Sequence, residues 1–201
     1  QDVLPRVTLF TPEEKIRLES AHKEFLANME TLSDLEYRKE MERLGVDLSW
    51  KSSQIEGNTY SLLETERLLK EKQTAQGKTK EEAVMLLNHK DALDFILDNP
   101  DYLKELSVRR LEDIHSILTK ELGVGNGIRK RRVGITGTNY RPLDNEFQIR
   151  EALEDTCQLI NGKENVFEKA LLILVLLSYI QAFTDGDKRT ARISSNAVLI
   201  A

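Results

Sequence analysis

The stretch that decides the fold is YIQAFTDGDKRTAR, residues 179–192. An almost wholly apolar run, residues 170–177, precedes it, and an amphipathic pattern resumes at Ile193. This arrangement predicts a loop around Gly186 that joins two helices, the second of which begins at the loop. The backbone amides in the first turn of a helix have no partners within that helix, and the helix dipole is positive there. The stretch therefore predicts an anion-binding loop that suits a nucleotide triphosphate.

Charged side chains in the same stretch strengthen this interpretation. Lys188, Arg189 and Arg192 supply cationic donors for phosphate oxygens. Asp185 supplies a carboxylate oxygen, which is a ligand that suits Mg²⁺. We therefore expect the loop to bind a nucleotide triphosphate together with Mg²⁺.

The stretch resembles the Fic-family signature, HxFx(D/E)GN(G/K)RxxR, whose fixed spacings make it far more specific than a lone glycine loop. The matching residues are Phe183, Asp185, Gly186, Lys188, Arg189 and Arg192. Gln181 stands where the family has His, and Asp187 stands where it has Asn. The resemblance implies an all-α Fic fold with a small β-hairpin flap, and transfer of AMP from Mg·ATP to a Ser, Thr or Tyr hydroxyl of a target protein.

The resemblance also implies a role for each part of the loop. Phe183 would anchor the loop in the core, and Asp185 would hold Mg²⁺. The amides of residues 186–189, which include Asp187, would hold the α- and β-phosphates. Arg192 would hold the γ-phosphate.

A second stretch, Ser52 to Gly57, is similar to the family's inhibitory motif, (S/T)xxxE(G/N). Ser52, Glu56 and Gly57 occupy the matching positions. The resemblance implies that Glu56 pairs with Arg192 and takes the place of a γ-phosphate. Such competition is physically reasonable, because a carboxylate and a phosphate seek the same planar guanidinium.

The departures from the signature predict weak catalysis. In the family the motif His is the general base that takes the proton of the target hydroxyl, and the amide of Gln181 cannot accept a proton near neutral pH. General-base catalysis contributes about 10²–10⁴-fold to a rate, so we expect trace activity at most. The carboxylate of Asp187 would in addition repel the phosphates, unless it serves as a second oxygen ligand for the metal.

The remaining sequence predicts a largely helical domain. Helix-start signatures, in which a Ser or Thr is followed three residues later by Glu, begin at Thr11, Ser33, Ser61 and Thr79. Residues 123–143 break the helical pattern with glycines and β-formers, which predicts a hairpin. The predicted target-docking flap comprises Ile135, Thr136, Gly137, Thr138, Asn139 and Tyr140.

We divide the chain into an N-terminal helical region, residues 1–78, which carries the inhibitory motif, and a Fic core, residues 79–201. The two form one compact unit. Because the helical pattern continues to the last residue, Ala201, we expect the natural chain to extend further.

Composition narrows the class of protein. A net charge of -5 argues against non-specific nucleic-acid binding, although the basic run Arg129 to Arg132 could contact phosphate or an acidic target as readily as form a solvated loop. No apolar run reaches the roughly 18 residues of a membrane span, and the single cysteine, Cys157, suits a reducing compartment. We therefore expect a cytoplasmic protein, with a homodimer as an open alternative.

The sequence leaves two other functions open. The loss of the motif His fits a degraded module that binds a nucleotide or a protein partner without catalysis. A Fic variant with other phosphate chemistry, such as phosphocholine transfer or AMP removal, is the second alternative.

Overall fold

The computed structural model describes Leu4, residues 7–134 and residues 137–201. The described residues form eight α-helices and one 3₁₀ helix. In chain order these are α1 (Pro12–Glu30), α2 (Asp34–Ile55), α3 (Leu62–Glu71), α4 (Lys80–Asp98), the 3₁₀ helix (Pro100–Leu103), α5 (Val108–Thr119), α6 (Glu146–Asn161), α7 (Val166–Ile180) and α8 (Asp187–Ile200).

Helices α1 to α4 begin where the sequence predicts. Their N-caps are Thr11, Ser33, Ser61 and Thr79. In each case the N-cap hydroxyl accepts a hydrogen bond from the amide of the Glu three residues later, and that Glu carboxylate accepts one from the N-cap amide. These reciprocal bonds satisfy amides that the helix itself leaves unpaired, and the four predicted starts are confirmed.

The core of the protein surrounds α7 and α8, which pack against each other more extensively than any other pair of helices. Fully buried side chains from α5, α6, α7 and α8 meet there, among them Leu111, Ile149, Ile173 and Ile193. Helices α2 and α3 pack on α4, whereas α1 buries none of its residues. The loop between α7 and α8 therefore lies at the end of the two helices that pack most extensively against each other.

The predicted β-hairpin flap is wrong. Among the described residues there is no β-strand, and residues 137–145 have no regular secondary structure. Two predicted flap residues, Ile135 and Thr136, lie outside the described residues.

Local hydrogen bonds take the backbone groups that a hairpin would need. The amide of Tyr140 donates to the hydroxyl of Thr138 (3.0 Å), and such side-chain bonds compete with a strand ladder. The carbonyls of Arg131 and Leu143 accept instead from the guanidinium of Arg129. The glycines and β-formers of this segment thus belong to an irregular loop.

Helices on both sides of the predicted division at residue 78 are in contact, because α2 and α3 pack against α4. The division itself stays a prediction. Within the described ranges, no helix combines the length and the apolar character needed to cross a membrane.

Candidate active site

The turn between α7 and α8 depends on left-handed backbone at both ends. Helix α7 ends because Gln181 adopts φ 52° and ψ 59°. Helix α8 starts after Gly186, whose φ is +87°. A Cβ atom at Gly186 would lie 3.1 Å from Cγ2 of Thr119 and 3.5 Å from the ring of His115. Both the conformation and the close approach of α5 therefore require glycine here.

The first turn of α8 opens on a pocket of about 300 Å³. The lining residues are Glu56, Val133, Gly134, Gln181, Thr184, Asp185, Gly186, Asp187 and Lys188. The structure thus brings the carboxylate of Glu56, the signature loop and residues 133–134 around one cavity. Unpaired amides at the helix N-terminus and the ammonium of Lys188 favour an anion in it.

Phe183 anchors the loop by stacking on His115. The two ring centroids are 3.9 Å apart and the planes differ by 14°. Nε2 of His115 lies 2.9 Å from the carbonyl oxygen of Asp185. Because that oxygen can only accept, Nε2 carries the proton. Burial lowers the pKa of His115, so the ring is neutral where it contacts the loop at Phe183 and Asp185.

Arg189 is buried and binds other parts of the protein. Its side chain is 1% exposed. Its Nη2 donates to Oδ2 of Asp185 at 2.9 Å, and Nη1 donates to the carbonyl of Leu118 at 3.3 Å. It does not line the pocket, although the sequence predicted it there as a phosphate donor. Lys188, by contrast, is exposed and does line the pocket.

The carboxylate of Asp187 turns into the loop. Its Oδ1 accepts a hydrogen bond from the amide of Phe183 at 3.0 Å. Burial raises the pKa of Asp187 to about 7, against the lowering effect of that amide. The side chain therefore holds the loop backbone, a role that the sequence did not reveal.

The side chain of Gln181 folds back onto the end of α7. Its Nε2 donates to the backbone carbonyl of Ser178 at 2.7 Å. The backbone carbonyl of Gln181 accepts from Nε of Arg129 at 2.6 Å. The amide group thus occupies an unpaired carbonyl at the helix C-terminus.

Glu56 and Arg192 form an ion pair, with 2.7 Å between Oε1 and Nη2. Ser52 holds the same guanidinium through its hydroxyl (2.8 Å from Nε) and its carbonyl (3.1 Å from Nη2). Gly57, at φ +92°, follows Glu56 and ends α2 at this point. The structure therefore joins the inhibitory motif to the last arginine of the signature.

Asp185 is suited to contribute one ligand to Mg²⁺. Its side chain is 59% exposed and borders the pocket, and its Oδ2 accepts a hydrogen bond from Arg189. In the part of the chain that the structure describes, no three His, Cys, Asp or Glu side chains cluster around a metal position. Mg²⁺ commonly binds one or two carboxylates together with substrate phosphates, so a single carboxylate fits a nucleotide-borne ion.

The loop of residues 137–145 contacts the end of α7. Tyr140 stacks on Tyr179, with ring centroids 4.3 Å apart. In the basic run, Lys130 pairs with Glu146 (3.6 Å) and Arg132 pairs with Asp144 (2.8 Å). These pairs neutralise part of the run. The docking role of residues 135–140 stays a prediction.

The sequence did not single out Arg129, His115 or Tyr179 as part of this site. Arg129 looked like one of four similar cations, and its difference lies only in burial, at 2% exposure. The isolated His115 gave no spacing to a partner, because its contacts come from a distant loop.

Comparisons with known proteins agree on one family. The model of the Fic/DOC family matches residues 105–199. "Protein adenylyltransferase fic-1" of Caenorhabditis elegans is 28% identical in an alignment of 154 residues that covers 73% of this chain and 30% of that protein. "Protein adenylyltransferase Fic" of Nematostella vectensis is 29% identical in an alignment of 159 residues that covers 75% of this chain and 36% of that protein. The chain thus spans about a third of the length of these relatives.

Solved structures share the fold. A Fic family protein from Desulfovibrio desulfuricans superposes with a TM-score of 0.74 at 17% identity, covering 96% of this chain and 58% of that one. A Fic domain containing signaling protein from Bacteroides thetaiotaomicron gives a TM-score of 0.76 at 19% identity, covering 90% and 71%.

Proposed function

This chain is a Fic-domain protein, and on that premise we propose that it belongs to the adenylyltransferases, which move AMP from Mg·ATP to a hydroxyl of a target protein. The observation that carries the proposal is the pocket at the start of α8, where unpaired amides and Lys188 face the cavity and residue 181 stands at its wall. The two relatives described above bear the name protein adenylyltransferase.

The residues of the pocket divide the work of binding. The amides of Gly186 to Lys188 and the Lys188 ammonium would hold phosphate oxygens, while Phe183 keeps the loop on the core. Asp185 would hold Mg²⁺, which when bound neutralises charge on the phosphates. The proposed reaction takes place at the α-phosphate: the target hydroxyl gives up its proton to a base, its oxygen bonds to the α-phosphorus, and the bond to the β-phosphate oxygen breaks so that pyrophosphate leaves.

Autoinhibition by Glu56 is part of the proposal. Its support is the 2.7 Å contact with Arg192, together with the position of Glu56 in the pocket wall. A γ-phosphate that reached the guanidinium of Arg192 would have to displace the carboxylate, because both groups use the same donor nitrogens.

We further propose that Gln181 limits the rate. An amide cannot take the proton of the attacking hydroxyl, and that loss is worth about 10²–10⁴-fold. The bond from Gln181 to the carbonyl of Ser178 also keeps the side chain on the helix end. A Ser, Thr or Tyr target, a cytoplasmic location and a homodimer remain predictions within this proposal.

The same observation supports a second candidate function. A Fic domain without its base can still bind a nucleotide, because the amides of α8 and Lys188 do not depend on residue 181. The alternative is therefore a module that binds nucleotide or protein without transfer.

Transfer of labelled AMP from ATP with Mg²⁺ separates the two functions. The protein, its Gln181→His variant and its Gln181→Ala variant are each compared in a Glu56→Gly background, with ATP binding measured alongside. We expect Gln181→His to raise labelling by about two orders of magnitude, and Gln181→Ala to leave labelling at background. Robust labelling by the Glu56→Gly protein that keeps Gln181 would contradict the role of Gln181. Binding of ATP without labelling by the His variant would favour the binding module.

A further inference from the structure

Arg129 is the buried member of the basic run, and its guanidinium binds backbone rather than solvent. The residue is 2% exposed. Nε donates to the carbonyl of Gln181 at 2.6 Å, Nη1 donates to the carbonyl of Arg131 at 2.8 Å, and Nη2 donates to the carbonyl of Leu143. All three nitrogens of the guanidinium are thus engaged by main-chain oxygens.

These bonds converge on the turn that carries residue 181. Besides the guanidinium bond to Gln181, the backbone amide of Arg129 donates to the next carbonyl, that of Ala182, at 2.9 Å. On the opposite side, the amide of Phe183 donates to Oδ1 of Asp187. Arg129 therefore holds the carbonyls of residues 181 and 182, and Asp187 holds the amide of Phe183.

The conformation at residue 181 explains why such support matters. Gln181 has φ 52° and ψ 59°, a left-handed conformation that is strained for any residue with a Cβ. A charge-assisted bond to its carbonyl, made inside the protein, offsets that strain more effectively than a neutral bond would. Without it, the peptide that follows residue 181 has less reason to keep this orientation.

We propose that Arg129 is a positioning residue, which fixes the backbone at residue 181 and so aims its side chain at the pocket wall. The statement that this side chain serves AMP transfer rests on the proposed function. The statement that Arg129 fixes its conformation rests on the hydrogen bonds alone. Arg129 is thereby distinguished from Lys130 and Arg132, which pair with acidic side chains at the surface.

The structural part is tested in the unmodified protein by NMR. Arg129→Met removes the three donors at similar length, Arg129→Lys keeps the charge, and Arg131→Met is the matched control, since the side chain of Arg131 is exposed. We expect the side-chain amide signals of Gln181 to shift in Arg129→Met, to shift less in Arg129→Lys and to stay in place in Arg131→Met. Methyl signals of Leu111 and Ile149 in the core should not move. Unchanged Gln181 signals in a folded Arg129→Met protein would overturn the proposal.

The catalytic part is tested in the Gln181→His, Glu56→Gly background. A displacement of about 1 Å in a reacting group can cost about 100-fold, so we expect Arg129→Met to lower kcat by at least about tenfold. The KM for ATP should change by less than about threefold, because the amides of α8 remain in place. The Arg129→Lys variant should keep part of the kcat that Arg129→Met loses. A raised KM at constant kcat would make Arg129 a binding residue and overturn the positioning role.

Two further outcomes are separable. If the background protein transfers no AMP, the proposed function fails, and the NMR comparison still decides whether Arg129 holds residue 181. If Arg129→Met does not fold, the comparison of Arg129→Lys with Arg131→Met uses the same signals. Gln181 signals that match in those two variants would then overturn the proposal, because a single ammonium cannot reproduce the three guanidinium bonds.

Discussion

Replacement of Glu56 tests the proposed competition with the γ-phosphate. Glu56→Gln removes the charge and keeps the shape, and Glu56→Gly removes the side chain altogether. In either variant the guanidinium of Arg192 keeps its bonds to the hydroxyl and the carbonyl of Ser52, at 2.8 and 3.1 Å. In Glu56→Gly, the donor on Nη2 of Arg192 that Glu56 had occupied at 2.7 Å would be free for a phosphate oxygen, on a guanidinium that Ser52 still orients.

The size of the effect follows from that one bond. The side chains of Arg192 and Glu56 are 20% and 22% exposed, so solvent screens their attraction only in part. A hydrogen bond between charged groups contributes about 1.5–3 kcal/mol. ATP must break this bond in the unmodified protein and need not in Glu56→Gly, so its affinity should rise by about 10- to 100-fold.

Calorimetry with ATP and with ADP measures this directly. ADP lacks the γ-phosphate, so its affinity should rise much less, and Glu56→Gln should fall between the other two proteins. Glu24→Gln, a change at an exposed carboxylate of α1, serves as the control. Equal gains for ATP and ADP would mean that Glu56 merely blocks the cavity. No gain for either nucleotide would refute the inhibitory role.

Two other substitutions, at Gly186 and at His89, a buried residue of α4, test the stability of the folded protein. Gly186→Ala should lower the free energy of unfolding in urea by roughly 1–3 kcal/mol, because φ is +87° and the new methyl group would lie 3.1 Å from Cγ2 of Thr119. Gly125→Ala, whose new methyl group would meet nothing within 4 Å, is the control. Equal losses in the two variants would contradict this prediction. Burial, aided by the charges of Arg192 and Arg189, lowers the pKa of His89 to about 3 from 6.5. The folded state therefore resists protonation, and stability present above pH 6.5 is lost as the pH falls towards 3, by about 3 kcal/mol at pH 4. His89→Leu should remove that loss, and an unchanged pH dependence of unfolding would refute it.

The parts of the fold that could be predicted are those set by local chemistry. A helix start depends on a hydroxyl and a carboxylate three residues apart, so Thr11 and Thr79 identified their helices without knowledge of the rest. The turn at Gly186 could be predicted for the same reason, because the need for a left-handed residue is a property of the chain itself.

The errors arose where a backbone group had more than one partner to choose from. The segment before α6 has the composition of a hairpin, yet its carbonyls at Arg131 and Leu143 bind the guanidinium of Arg129. Sequence spacing cannot rank a strand partner against a buried cation, since the outcome depends on which of them the tertiary structure brings close. The direction of the Asp187 side chain was hidden in the same way.

The two departures from the family signature are therefore different in kind. The carboxylate of Asp187 accepts from the amide of Phe183, and the oxygen of an asparagine can accept that bond equally well. An Asp in place of Asn at position 187 therefore changes the charge inside the loop and allows the same loop conformation. Gln181 instead replaces a group that can take a proton by one that cannot. Because Lys188 and the amides of α8 are independent of residue 181, we expect the protein to bind the phosphate chain whichever residue stands at position 181.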